Sequence, residues 1–328
     1  MNRILIIQTA FIGDVILASV LLEKLHQYFP SAKIDFLLCK GNESLLENHP
    51  FLNELFIWDK KKSKYKNMYQ IIKKVRKNKY DKLINVQRFM SSGIFTLFSG
   101  AKKTIGFDKN PFSFFFSTKV KHEFKENWHE TQRNLSLIEN ITDNQPIKPK
   151  LYPAQKHFDE INQYQNQAYI CVAPTSVWFT KQFAFEKWVD FLKIVPKKYQ
   201  IYLLGAKNDV TFCEKLINDS QNTNIINLAG KISLLGSAAL MKSAVMNYVN
   251  DSAPMHLCSA VNAPTCAIYC STITDFGYFP LSDKSFVIEE TQKLFCRPCG
   301  IHGHKKCPFG HFKCAFDIDI QKMIDLIV

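Results

Sequence analysis

A strand, a tight turn and a helix in immediate succession, from Arg3 to Leu25, constrain this chain more than any other stretch. Arg3-Ile-Leu-Ile-Ile-Gln-Thr9 is apolar and rich in β-branched residues, the composition of a strand buried on both faces of a parallel sheet. After Ala10-Phe11-Ile12-Gly13-Asp14, the residues Val15, Ile16, Leu17, Val20, Leu21, Leu22 and Leu25 recur at helical spacing. Asp14 therefore stands at the carboxyl end of a strand and the amino end of a helix, where open α/β sheets bind ligands. Two readings follow: Asp14 caps the helix and Gly13 eases the turn, or Asp14 belongs to a ligand-binding edge.

Further strands are expected at Ala32–Cys39, Glu54–Trp58 and Tyr80–Gln87, separated by helical patterns, which argues for a doubly wound parallel sheet. Gln87-Arg88 would leave the last of these on the same edge as Asp14. From Lys60 to Lys82 eleven basic side chains face one acid, with Tyr65, Met68, Tyr69, Ile71, Ile72 and Val75 interleaved. That pattern fits a solvated amphipathic helix or a patch for an anionic lipid surface. No recognised nucleic-acid motif accompanies the charge, so nucleic acid ranks below both. Phe112, Phe114, Phe115 and Phe116 are expected to pack in a core or between domains, with a membrane-facing role as the alternative. Asp143 to Pro153 is polar and proline-rich, a linker between domains at 1–150 and 151–328.

The length of 328 residues agrees with two domains, and 46% hydrophobic residues can supply a core for each. A net charge of +13 favours anionic partners. No apolar run is long enough to span a bilayer, and the chain opens on a strand rather than a signal sequence, so a cytoplasmic location is expected.

In the second half, Ala168–Ala173 starts a new sheet, and the loop Pro174–Gln182 brings Thr175, Ser176, Thr180 and Lys181, hydroxyls and an ammonium able to hold a diphosphate. Tyr199–Gly205 is the next strand, followed by a turn carrying Asp209. Ile225–Leu228 is another strand, and Gly230-Lys-Ile-Ser-Leu234 leads into a helix running through Ala244. Tyr248-Val-Asn-Asp-Ser-Ala-Pro-Met-His256 ends a strand at Asp251 and opens a helix with Pro254 in its first turn. The free N–H groups of that helix start form an anion site.

The Ile-Gly-Asp-Val turn after the first strand, the Thr-Lys loop opening the second half, the Gly-x-Ile-Ser-Leu element and the Asn-Asp-Ser-Ala-Pro-Met-His turn resemble, in order, the lipopolysaccharide heptosyltransferases of glycosyltransferase family nine. The resemblance implies a GT-B fold, two Rossmann-like domains facing a central cleft, with a C-terminal helix crossing back to the first. It implies an inverting enzyme moving heptose from ADP-heptose to a hydroxyl of the lipopolysaccharide inner core. Asp14 would be the catalytic base and Lys181 the cation neutralising the leaving diphosphate. Thr175, Ser176, Thr180, Asp209, Ile232, Asp251, Ser252, Ala253 and His256 would bind the donor, Ile232 beside the adenine. Ala253 departs from the commoner Gly of the signature and adds a methyl where backbone would approach phosphate. Gly13, Arg88 and Arg133 would meet a lipid-linked oligosaccharide acceptor, with peripheral contact to the inner membrane surface. The alternatives are a sibling transferase using another nucleotide sugar and a basic, non-enzymatic module binding nucleic acid or anionic lipid.

Of ten cysteines, Cys39, Cys171, Cys213, Cys258, Cys266 and Cys270 lie in apolar stretches as small core residues. Cys296, Cys299, Cys307 and Cys314, with His302, His304 and His311, crowd into nineteen residues. They admit a structural zinc, reduced thiols packing a loop, or a disulfide. Asp317-Ile-Asp319 precedes an apolar helical pattern and reads as a helix start rather than a metal motif. No catalytic metal or other cofactor is therefore expected.

Overall fold

The computed structural model describes residues 2–143 and 145–328, so Asn144 of the expected linker lies outside the described residues. The chain divides into two compact units, Met1–Tyr152 and Pro153–Val328.

The first unit runs β1 (Arg3–Ile7), α1 (Ile12–Tyr28), β2 (Lys33–Cys39), β3 (Leu52–Trp58), α2 (Lys64–Lys77) and β4 (Lys82–Asn85). It continues with α3 (Met90–Phe98), β5 (Lys103–Phe107), β6 (Thr118–Val120) and α4 (Glu130–Ser136). Its six strands are parallel in the order β3-β2-β1-β4-β5-β6, so the winding reverses between β1 and β4. The β1–α1 prediction holds because its apolar residues are what the sheet buries: Ile4 to Ile7 and Val15 to Leu22 have almost no exposure. β5 and β6 went unforeseen, since Lys103 and Gly106 dilute the strand signal. Gly106 is required there by packing, because a Cβ would stand 2.5 Å from the Phe116 ring.

The basic stretch forms the amphipathic helix α2, which buries Met68, Ile71 and Val75 and exposes Tyr65 and Tyr69. The phenylalanine cluster divides: Phe116 is buried, whereas Phe114 and Phe115 project from a short helical turn and meet only edge to face, 5.5 Å apart. Core packing is thus corrected for those two. The linker is laid along α1: Lys24 Nζ lies 2.5 Å from Asp143, the Lys150 amide donates to Ser19 Oγ, and Tyr152 donates to Glu23 at 2.7 Å.

The second unit runs α5 (Gln155–Ile161), β7 (Tyr169–Ala173), α6 (Phe185–Ile194), β8 (Gln200–Leu203), α7 (Val210–Ser220) and β9 (Ile225–Asn227). There follow α8 (Leu234–Ser243), β10 (Met246–Asn250), α9 (Ala253–Val261), β11 (Thr265–Tyr269), β12 (Ser285–Glu289), α10 (Lys313–Phe316) and α11 (Gln321–Ile324). Its parallel sheet, β12-β11-β10-β7-β8-β9, repeats the winding of the first, with the reversal between β7 and β10. Both sheets have the doubly wound dinucleotide-fold order.

The closing helix packs in the second unit. Met323, Ile324 and Ile327 join Trp188, Phe191 and Tyr248 in the second core, and the Tyr199 and Tyr248 hydroxyls donate to the Ile327 and Met323 carbonyls at 2.8 Å. The six cysteines read as core residues are buried, and all ten are free thiols.

Candidate active site

In the first unit the winding reversal puts the start of α1 after β1, with Gly13 and Asp14 in its first turn, beside the loop after β4 carrying Gln87 and Arg88. Phe11 caps α1, and Asp14, three residues in, reaches back to accept the Phe11 amide at 3.2 Å. Capping and reactivity therefore coexist, since one carboxylate oxygen receives that bond and the side chain stays half-buried. Burial, then the charge of Glu130, pushes the Asp14 carboxyl up to about 6; the Phe11 and Asp14 amides and Arg88 oppose the rise. A carboxylate so tuned is a competent base near neutrality.

α4 supplies the other side of this site. His129 caps it, accepting the Thr131 amide at 3.1 Å while donating its own amide to Gln132 at 2.9 Å. Arg133 is buried and donates through Nε and a terminal nitrogen to Glu130 Oε2, both at 2.7 Å, with its guanidinium 4.5 Å from the centre of the Phe124 ring. Arg133 thus holds an acid in place, whereas Arg88 is exposed. His122 is pushed down to about 4, first by burial and then by Arg88 and Arg133. Glu130 and His122 were missed by the sequence reading, although the i,i+3 spacing of Glu130 and Arg133 was a usable signal.

In the second unit the reversal juxtaposes the loop after β7 with the turn after β10. Lys181 Nζ lies 2.6 Å from Asp251 Oδ2, which also accepts the Thr272 hydroxyl at 2.7 Å. Asn250, wholly buried, ties the two loops by accepting the Phe183 amide at 2.8 Å and donating to the Ala173 and Thr175 carbonyls, each at 3.4 Å. Thr175 and Ser176 are half-buried at the loop surface. Thr180 differs: it is buried, and its hydroxyl accepts the His304 amide at 2.7 Å and the Ser271 hydroxyl at 3.1 Å. These bonds tie the loop at Thr180 to the segments around Ser271 and His304.

Ser252 caps α9 in extended backbone, with Ala253 and Pro254 in the first turn. His256 is buried one turn on, and burial, then the Lys181 charge, lowers it to about 3. It is a neutral imidazole at neutral pH. Asp209 closes its own turn after β8 by accepting the Ala206 amide at 2.7 Å. Ile232 follows β9, half-buried, beside Ser233, which caps α8 by accepting the Gly236 amide. Asp209 and Ile232 therefore share the carboxyl edge with Lys181 and Asp251 but lie at strands further from the reversal.

The tail cysteines do not assemble as expected for zinc: among the described residues no three His, Cys, Asp or Glu side chains converge as metal ligands. Cys314 is drawn into the hydrophobic core, Cys299 Sγ donates to the Cys296 carbonyl, and Cys296 Sγ approaches His311 Nε2 at 3.7 Å. Burial and the neighbouring tail thiols push Cys314 up to about 12. Asp319 accepts the Gln321 amide at 2.9 Å and so starts α11, as its sequence position predicts.

Comparison with known proteins adds the family. The chain is 25% identical over 279 residues to lipopolysaccharide heptosyltransferase 3 of Escherichia coli, covering 80% of this chain and 82% of that one. It is 25% identical over 334 residues to lipooligosaccharide heptosyltransferase 2 of Campylobacter jejuni, covering 98% and 96%. Among solved structures, E. coli ADP-heptose LPS heptosyltransferase II superposes with a TM-score of 0.81 at 20% identity, over 100% of this chain and 97% of that one. The E. coli heptosyltransferase WaaC with ADP superposes with a TM-score of 0.71 at 18% identity, over 87% and 92%. The GT-B fold class is borne out, and a purely non-enzymatic binding module is set aside. The profile of glycosyltransferase family 9 (heptosyltransferase) matches residues 68–311, more than half of the sequence, and the chain belongs to that family.

Proposed function

We propose that this enzyme transfers heptose, with inversion, from ADP-heptose to a hydroxyl of the lipopolysaccharide inner core. Asp14 takes the proton of the acceptor hydroxyl as its oxygen bonds to the anomeric carbon. The bond from that carbon to the diphosphate oxygen breaks, and its electron pair leaves with ADP. The sugar passes through an oxocarbenium-like state. Lys181 and the positive end of α9 stabilise the charge gathering on the diphosphate. Asp209 and Ile232 extend this bed toward the nucleoside, while Gly13 and Arg88 flank the acceptor hydroxyl. With that fixed positive charge, turnover needs no divalent cation and survives chelation.

The observation that carries this reading is the Lys181–Asp251 pair at the winding reversal of the second sheet, 2.6 Å apart: a cation held in reserve where such sheets bind phosphates. The ADP in the WaaC structure and the ADP-heptose in the name of heptosyltransferase II support adenine as the base. The test is ADP release from ADP-heptose with a heptose-deficient inner-core acceptor, beside UDP- and GDP-sugars. Turnover with ADP-heptose alone is expected; equal or better use of a UDP- or GDP-sugar would remove the heptose assignment.

The acceptor is lipid-linked, and the reading includes contact with the cytoplasmic membrane face. α3 carries no charged residue and exposes Met90, Leu97 and Phe98. It lies against basic α2, whose Arg76 donates to the Phe98 carbonyl at 3.2 Å. An apolar face beside a basic one suits an anionic bilayer surface. Among the described residues no helix is long and apolar enough to cross a membrane.

A further inference from the structure

The cysteine-rich segment bonds to the donor loop at Thr180, beside the lysine assigned to the leaving diphosphate. The Thr180 amide donates to the His304 carbonyl at 3.1 Å, and the His304 amide returns a bond to Thr180 Oγ1 at 2.7 Å. Phe179, the preceding residue, lies against Phe312 with ring centres 5.0 Å apart. A second strand of contacts reaches Lys181 from its counter-ion. The Cys299 amide donates to the Ser271 carbonyl at 2.8 Å, and Arg297 donates to the Thr272 carbonyl at 2.9 Å. The Ser271 amide and hydroxyl bond back to Thr180, and the Thr272 hydroxyl holds Asp251, which holds Lys181.

Thr180, Ser271 and Thr272 are all buried, so water cannot replace these bonds cheaply. Gly303 closes the contact: its φ is +72°, and a Cβ there would stand 2.8 Å from Thr180 Oγ1, 3.1 Å from Lys181 Cγ and 3.2 Å from Ser271 Oγ. A lysine on a loop is a mobile charge on a four-carbon stem, and placing it costs entropy when the ligand arrives. Here residues 297–304 hold Thr180, the neighbour of Lys181 in the chain, and Thr272, whose hydroxyl holds the carboxylate partner of Lys181.

We propose that the cysteine-rich segment is a positioning brace for Lys181, with Thr180 and Gly303 as its contact residues; the proposal rests on the assignment of Lys181 to the donor diphosphate. Neither contact residue meets substrate. Their effect passes through the ammonium, and it should fall on recognition of the second phosphate.

The test compares the affinities for ADP and AMP, by calorimetry, in the wild type, Lys181→Ala, Thr180→Val, Thr180→Ser and Gly303→Ala, with melting temperatures as the folding control. Thr180→Val and Gly303→Ala should lower the ADP-to-AMP affinity ratio toward that of Lys181→Ala. Where turnover is measured, kcat should fall by about tenfold to a hundredfold, the scale of a displaced catalytic group. Thr180→Ser, which restores the hydroxyl, should recover most of the ratio. A folded Thr180→Val protein with the wild-type ratio overturns the brace, as does a Thr180→Ser protein no better than Thr180→Val. A wild-type ratio unaffected by Lys181→Ala instead removes the role of Lys181. Because the ratio is read from binding, failure of the brace is distinguishable from absence of heptose transfer.

Discussion

Arg133 fixes Glu130 from two nitrogens, each 2.7 Å from the same carboxylate oxygen, and the acid so held acts on Asp14, whose carboxyl is raised to about 6. In its proposed role as base, Asp14 works only when ionised, so kcat/KM should climb through about pH 6 and level off above it. Glu130→Gln removes a negative neighbour and leaves Arg133 less neutralised, and both changes favour the ionised form. The acidic limb of the pH profile should therefore move to lower pH. A limb that stays in place or moves upward would show that Glu130 does not tune Asp14.

Asp14→Asn should lower turnover by about 10²–10⁴, the usual worth of a general base, with ADP affinity unchanged. It should also stabilise the fold near neutral pH. A carboxyl raised in the folded state stabilises that state below its unfolded value and loses the contribution as pH rises through about 6. The substitution is expected to recover up to ~3 kcal/mol at pH 7.5 and almost nothing at pH 3.5. Denaturant melts at the two pH values check the sign.

Lys181→Ala leaves the buried Asp251 carboxylate with the Thr272 hydroxyl as its remaining side-chain partner among the described residues. Turnover should fall by about 10²–10³, as when a preorganised electrostatic donor is deleted. Stability should fall as well, because a buried carboxylate loses its counter-charge. The double variant Lys181→Ala with Asp251→Asn should regain stability without regaining turnover. Thermal melts and initial rates on the same preparations separate the two effects.

His256, held down to about 3 by burial and then by Lys181, should show no imidazole titration between pH 5 and 8 by NMR. A depressed histidine stabilises the fold above its unfolded value near 6.5 and loses that contribution as pH falls toward about 3. His256→Gln should flatten the loss of stability on acidification while leaving the activity profile above pH 6 unchanged in shape.

Sedimentation with phosphatidylcholine vesicles containing phosphatidylglycerol should recover more protein than with phosphatidylcholine alone. Leu97→Ser with Phe98→Ser should weaken recovery at least tenfold, since each exposed apolar side chain contributes about 1.5–3 kcal/mol when buried. Recovery unchanged in that variant would take α3 out of the membrane contact.

The sequence by itself determined the elements whose residues are buried on all sides. β1, α1, β7 and β10 read directly, since a parallel strand covered on both faces is a continuous apolar run and a helix laid on it repeats its period. It also singled out Asp14, Lys181 and Asp251 for the proposed site, because ligand-binding groups in such sheets follow strand ends. Edge strands such as β6 and β12, half-exposed and mixed in composition, carry no such signature. What only the tertiary structure decided is which side chain faces which. Thr180 turns inward because His304, more than a hundred residues on, offers its amide there. Glu130 comes to act on Asp14 because α4 packs against α1. The cysteine-rich segment comes to brace a lysine because folding, and not chain order, brings residue 303 to residue 181.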